Sequence, residues 1–236
     1  MKIVLLTTKS RHHKYLTGEI FNKFNLVCII QETKILKPNF ETLHKFEIKR
    51  EKFEKKNLDI TKYHKISPHL LFKTKNINSS EVFKKLNQIN PDIIITSGAS
   101  ILKNRIIKNF KNKIYNLHGG NMEKYRGLDS HLWAIYHNDF KSFDVTLHKL
   151  LKKVDTGSII SSRKIKISRS LKLFELRKQN IIIAEKLVSS FLRKRQNKVI
   201  IVEKKLKSFG RYYSFMPKDL KEVCYLKFNN YVKKKS

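Results

Sequence analysis

The sequence predicts an α/β fold of Rossmann-like type: a mostly parallel twisted sheet with helices on both faces, plus a short C-terminal extension. Three observations carry that prediction. The apolar runs "KIVLLTT" (2–8), "LVCIIQE" (26–32) and "PDIIITSGAS" (91–100) are short and rich in β-branched residues, as strands buried on both faces require. Between the first two, Tyr15, Leu16, Ile20, Phe21 and Phe24 recur at helical spacing over residues 12–24. Strand, helix and strand in that order open a parallel sheet, because parallel neighbours need a crossover connection.

The remaining elements follow in order. Residues 40–57 are charged, with Phe40, Leu43, Phe46 and Phe53 only loosely periodic, which reads as a surface helix. "NSSEVFKKLNQIN" (78–90) offers Asn78 or Ser79 as a cap before Val82, Phe83 and Leu86 on one face. Pro91 enters the clearest buried strand and Gly98 ends it; "RIIKNF" then gives a short helix and "KIYNLHGG" the next strand. "SHLWAIYHN" (130–138) is helical, with Asp129 or Ser130 placed to cap it. "DVTLHKLL" (144–151) and "GSIISSRKIKI" (157–167) alternate as strands do, and residues 171–195 form the longest helix. Residues 1–197 are thus assigned to one catalytic domain. Residues 198–236, aromatic-rich, are an extension packed on it for dimerisation or for covering a substrate, with "VKKKS" as a frayed tail.

Composition narrows the function classes. With 40% hydrophobic residues in 236, the chain can bury a real core and is not a disordered one. Against 19 Asp+Glu stand 52 Lys+Arg, a formal charge of +33, which favours anionic partners. Most of that charge is lysine scattered along the chain, whereas base and phosphate reading prefers clustered arginine. Cys28 and Cys224 make neither a disulfide framework nor a cysteine-rich metal site. The N-terminal apolar run is too short for a signal peptide and no segment reaches a membrane span, so the expectation is a cytoplasmic protein with no membrane partner.

Of seven glycines, five lie between positions 98 and 157, and glycine gathers where backbone turns sharply or approaches a ligand. No GxGxxG or GxxxxGK[ST] is present, and no HExxH or paired-cysteine spacing suggests zinc. Within the glycine-rich region Asn116 and His118 are two apart on a strand, so both side chains point to one face. An amide donor beside an imidazole suits acyl chemistry: one holds a developing oxyanion and the other moves a proton. Asp155 in "VDTG" stands before a glycine turn, where a carboxylate can orient His118. Taken singly, each feature has an ordinary structural reading: a satisfied strand-end histidine, a turn-forming aspartate.

The order Asn-x-His, "KYRG", a Trp-Ala-Ile helix, "VTLH" and Asp-x-Gly resembles the formyltransferase family that uses 10-formyltetrahydrofolate, over about residues 91–167. The resemblance implies the formyltransferase fold, no metal, and a substrate amine attacking a formyl carbon. It makes Asn116 the oxyanion donor, His118 its stabiliser or proton shuttle, and Asp155 the group that keeps His118 charged and oriented. It places the folate in a cleft of Ser97, Gly98, Ala99, Ser100, Ile101 and Leu102 with Leu150 and Val154 from the 148–155 loop. The chain departs from the family where relatives read Leu-Pro-x-Tyr-Arg-Gly and it has Met122-Glu123-Lys124-Tyr125-Arg126-Gly127.

Within the family, the first strand lacks the Gly-Ser-Asn phosphate loop of ribonucleotide transformylases, having "TTKSRHHKY" instead. A tRNA formyltransferase is expected to carry an added barrel of roughly a hundred residues. Only about forty residues follow the longest helix. The wording "HGG…YRGLDSHLWAIYH" is most similar to the nucleotide-sugar N-formyltransferases, of the perosamine or 4-amino-4,6-dideoxyglucose type, acting in surface polysaccharide (O-antigen) synthesis. Arg11, His12, Tyr15, Tyr125, Arg126, Gly127 and Asp129 are then the candidates for holding the acceptor, and a homodimer is expected. Alternatives are another amine or methionyl-tRNA formyltransferase, a formyltetrahydrofolate hydrolase built on the same three residues, and a basic nucleic-acid-binding protein. The last leaves the Asn-His-Asp order unexplained.

Overall fold

In the computed structural model, which describes residues 1–34 and 36–234, nine strands and eight α-helices are found among the described residues. In chain order they are β1 (Ile3–Thr8), α1 (Arg11–Lys23), β2 (Leu26–Glu32), α2 (Lys45–Asn57), α3 (Thr61–His64), β3 (Leu71–Thr74), α4 (Ser80–Ile89) and β4 (Ile93–Thr96). There follow α5 (Asn104–Asn109), β5 (Ile114–His118), β6 (Tyr125–Gly127), α6 (Ser130–Tyr136), β7 (Asp144–Lys149), β8 (Ile159–Lys164), α7 (Leu176–Gln196), β9 (Arg211–Tyr213) and α8 (Lys218–Lys233). Seven strands form one sheet in the order β3-β2-β1-β4-β5-β7-β8. The first five in that order are parallel, and β7 and β8 join antiparallel. The predicted α/β architecture is the observed one.

β1 is central because its residues are apolar on both faces. Ile3 and Leu5 enter one core, which α1 and α7 cover, while Val4 and Leu6 enter a second core beneath α4 and α5. From β1 the chain runs outward through β2 and β3, then returns to β4 and β5 on the other side. The carboxyl ends of β1 and β4 therefore flank a crevice, the place where open α/β sheets hold ligands. No helix among the described residues is long and apolar enough to cross a membrane.

Several expectations are refined. The run 91–100 yields a strand of only four residues, because Gly98 takes φ +74° and turns the chain. Ser79 caps α4 by accepting from Val82 N, but neither Asp129 nor Ser130 caps α6. Asp129 is itself left-handed at φ +49° and its Oδ2 accepts the Met216 N–H at 2.9 Å instead. The 198–236 segment pairs β9 parallel to β6, and α8 sends Cys224, Phe228 and Val232 into the same core as α1 and α7. In the "VKKKS" tail, residues 235–236 lie outside the described residues.

Candidate active site

β5 and β7 are antiparallel neighbours, and their register sets Asn116 opposite His148 and His118 opposite Thr146. β7 then leads into a loop that returns Asp155 to the same place. That return needs two backbone accommodations. Asp155 adopts φ +49°, which aspartate tolerates better than most residues, and Gly157 lies so close to β7 that a Cβ there would stand 1.8 Å from the Lys149 carbonyl oxygen. Asp155 thereby becomes the hub. Its Oδ2 is 3.3 Å from His118 Nδ1 and accepts the Gly127 N–H at 2.8 Å. Its Oδ1 accepts from Asn116 Nδ2 at 3.3 Å and lies 3.3 Å from His148 Nε2.

The electrostatics follow from these contacts. Burial pushes the Asp155 carboxyl up, but the His118 and His148 imidazoles and the Gly127 N–H outweigh it and hold the group well below the usual carboxylate range. Burial pushes His118 down, and Asp155 and the Tyr125 carbonyl oppose it without cancelling it. His118 Nε2 lies 2.8 Å from the Tyr125 carbonyl and donates to it, while Nδ1 faces Asp155. Both contacts are attractive only when the ring holds two protons, a state that burial disfavours. His118 is a group poised to take up and release a proton beside a permanently ionised carboxylate.

Asn116 is oriented from both ends. Thr96 Oγ1 donates to its Oδ1 at 2.5 Å, and its Nδ2 stands 3.1 Å from His148 Nε2. His148 donates from Nδ1 to the Lys149 carbonyl at 2.7 Å. Neither Thr96 nor His148 was singled out as a functional residue from the sequence. The signal was present for His148: it ends the "VTLH" run, and pairing that run with "NLH" in antiparallel register sets it against the amide.

These groups form the polar end of a cavity of about 310 Å³. Its walls include Gly98, Ala99, Ser100, Ile101, Leu102, Leu150 and Val154, all anticipated, and Lys152 from the same 148–155 loop, together with Leu36, Leu128 and Tyr212, which were not. Ser97 is a correction. It is buried, donates its N–H to the Leu6 carbonyl and accepts from Thr7 Oγ1 at its own, so it ties β4 to β1 and does not line the cavity.

The anticipated acceptor residues divide. Arg11 is a correction: its guanidinium closes the end of α2 by donating to the Glu54 and Leu58 carbonyls. His12 is half-buried beside Glu54, and Tyr15 packs against the core. Tyr125 is buried, its hydroxyl donating to Asp139 at 3.3 Å, and Arg126 is a loop anchor that donates to the Gly210 and Val154 carbonyls. Gly127 and Asp129 do line a second cavity of about 240 Å³, which shares Gly119, Gly127 and Leu128 with the first.

Comparison with known proteins identifies relatives of the whole chain and of its fold. The family model described as formyl transferase matches residues 1–192. A methionyl-tRNA formyltransferase of Finegoldia magna is 34% identical over 166 residues, covering 65% of this chain and 52% of that protein. The bifunctional polymyxin resistance protein ArnA of Wigglesworthia glossinidia brevipalpis is 40% identical over 98 residues, covering 41% of this chain and 15% of that one. The match to the first of these spans about half of that relative's length. Among solved structures, the formyltransferase PseJ from Anoxybacillus kamchatkensis superposes with a TM-score of 0.59 at 20% identity, over 96% of this chain and 91% of that one. A likely sugar N-formyltransferase from Mycobacterium tuberculosis gives a TM-score of 0.60 at 15% identity, over 91% and 75%. At these identities the likeness is one of fold.

Proposed function

The chain belongs to the formyl transferase family, and from that premise we propose that it transfers a formyl group from 10-formyltetrahydrofolate to the amine of a nucleotide-linked amino sugar. The observation that carries the reaction is Asp155, which gathers Asn116, His118 and His148 at the polar end of one cavity. That cavity, about 310 Å³, falls at the lower end of the roughly 300–1,000 Å³ common for cofactor sites. Its wall from Ala99 to Leu102 with Leu150 offers apolar side chains and open backbone to a flat heteroaromatic group.

When bound, the folate supplies an activated formyl carbon. Asn116 has two amide hydrogens; one stays on Asp155 while the other is free to meet a carbonyl oxygen as negative charge develops there. His118 takes the proton released by the attacking amine, and Asp155 stabilises the resulting imidazolium. The amine nitrogen bonds to the formyl carbon, the bond from that carbon to the folate nitrogen breaks, and the proton passes to that nitrogen.

The sugar acceptor is supported by the second cavity adjoining the first, a seat of about 240 Å³. It is also supported by a fold likeness that extends through the C-terminal segment to PseJ, whose structure holds a UDP-linked formamido sugar and tetrahydrofolate. A second reading, methionyl-tRNA, is favoured by the Finegoldia magna relative and by the charge of +33. Formyl transfer from 10-formyltetrahydrofolate is to be measured with a panel of nucleotide-linked amino sugars and with charged initiator tRNA, beside His118→Ala. Transfer to a sugar, lost in the variant, is the expected result. Efficient transfer to the tRNA alone overturns the sugar acceptor, and no folate turnover with any amine overturns the enzyme reading.

A further inference from the structure

We propose that Arg50, flanked by Arg177, is the specificity-determining residue of the second cavity and grips a phosphate oxygen of the amine substrate. The inference rests on the formyl-transfer reading for the word substrate, but the site itself stands on the geometry.

Arg50 lies on α2, in a segment that reads from sequence as a solvated charged face. In the structure its guanidinium borders the cavity behind Gly127. Nη2 donates to Glu47 Oε1 at 3.2 Å, yet Nε is buried with no hydrogen-bond partner. Buried donors left in this state in a folded protein call for an absent partner. Glu47 does not supply one, because its other oxygen already accepts from Lys221 Nζ at 3.0 Å and from the His44 N–H at 3.0 Å.

The surroundings select an anion. Arg177 also borders the cavity and is held in place by Glu54, whose two oxygens accept from its Nε and Nη2 at 2.6 Å each. Two guanidinium groups therefore share one hollow, and burial together with the neighbouring Arg177 disfavours the charge on Arg50. An anion between them relieves that repulsion and gives Nε its acceptor, and guanidinium forks fit phosphate oxygens well. Asn180, which packs over Gly119, has no side-chain hydrogen bond among the described residues and adds an amide to the same wall. Opposite stands Asp129, with one oxygen on the Met216 N–H, a partner for a hydroxyl or amine of the same molecule. Phe46 and Leu176 complete an apolar floor for its body. The seat thus fits a small amine bearing phosphate, with the phosphate on the far side from His118.

The test uses the full chain with inorganic pyrophosphate as the probe. Pyrophosphate is expected to raise the melting temperature of the wild type, to leave Arg50→Gln unmoved, and to act in part on Arg50→Lys. Circular dichroism of the unliganded variants checks that they are folded. Competition separates the sources: UDP displacing pyrophosphate assigns a sugar-nucleotide phosphate, and a 5′-phosphorylated RNA hairpin displacing it assigns a nucleic-acid phosphate. In turnover, Arg50→Gln is expected to raise the acceptor KM by about tenfold or more while the folate KM moves less than about twofold. A wild type indifferent to pyrophosphate, or an Arg50→Gln variant that responds equally, overturns the proposal. Pyrophosphate binding through Arg50 without any folate turnover leaves the anion site standing and overturns the formyl-transfer reading instead.

Discussion

Asn116 and His148 face each other across the antiparallel pairing of β5 with β7, the amide Nδ2 3.1 Å from the imidazole Nε2. His148 donates from Nδ1 to the Lys149 carbonyl, which fixes the ring so that its Nε2 stands against both the Asn116 amide and Asp155 Oδ1 and helps orient that amide. His148 therefore acts through Asn116. Asn116→Ala is expected to lower the transfer rate about 10²–10³-fold, the usual effect of losing an oxyanion donor. His148→Ala should cost less, and the double variant should be no slower than Asn116→Ala alone. Single-turnover rates that multiply in the double variant would show that His148 acts independently.

Asp155→Asn removes the carboxylate that holds the His118 pKa up against burial. The His118 midpoint, followed by NMR titration of the ring, is expected to move further down, and the transfer rate to fall with it. A midpoint that stays in place or rises contradicts the hub role of Asp155.

Acid should unfold this protein through its buried histidines. Burial lowers His13 from 6.5 to about 3 and His131 from 6.5 to about 4. The unfolded chain thus binds more protons than the folded one below about pH 6.5, so stability is whole above that pH and is lost as pH falls toward 4. Each histidine contributes about 1.4 kcal/mol per pH unit within that window. Urea midpoints at pH 7.5, 6 and 5 read the slope directly, and a midpoint unchanged between them contradicts neutral burial.

Gly127 joins the site to the C-terminal segment. It sits at φ +90°, and a Cβ there would lie 2.1 Å from the Tyr213 carbonyl oxygen. Gly127→Ala is expected to cost more than about 2 kcal/mol through strain and displaced backbone. Folate affinity should fall as well, because Tyr212 lines the same cavity. Thermal melts with and without folate give both quantities.

Phe228 is fully buried in the core that α1 and α7 share. Phe228→Ala should destabilise the whole domain by about 3–5 kcal/mol in one cooperative transition. A loss under about 1 kcal/mol would mean that α8 is merely laid against the surface.

How legible the fold was depended on where the determining contacts lay. The run 26–32 was readable to the residue because it is apolar, β-branched and bounded by polar residues. Asn116 and His118 were readable as a pair because a strand repeats every two residues. Arg50 was hidden because α2 turns Glu47 and Glu54 inward beside Phe46, so buried carboxylates interrupt its apolar stripe. The strand nature of Tyr125–Gly127 and Arg211–Tyr213 was hidden because three residues carry no period and their pairing is non-local. Helix α8 was masked by its exposed apolar residues, Val223 and Leu226, which blur the stripe of Cys224, Phe228 and Val232. Register, more than composition, made His148 part of the site.

The parallel pairing of β6 with β9 also sets an order in time. A ribosome delivers Asn116, His118, His148 and Asp155 well before it delivers Arg211–Tyr213, the strand that backs Gly127 and brings Tyr212 to the cavity wall. Without Arg211–Tyr213 the wall beside those reacting groups lacks Tyr212. Closure waits for Arg211–Tyr213, so along the chain the groups that move protons precede the enclosure that reserves them for a substrate.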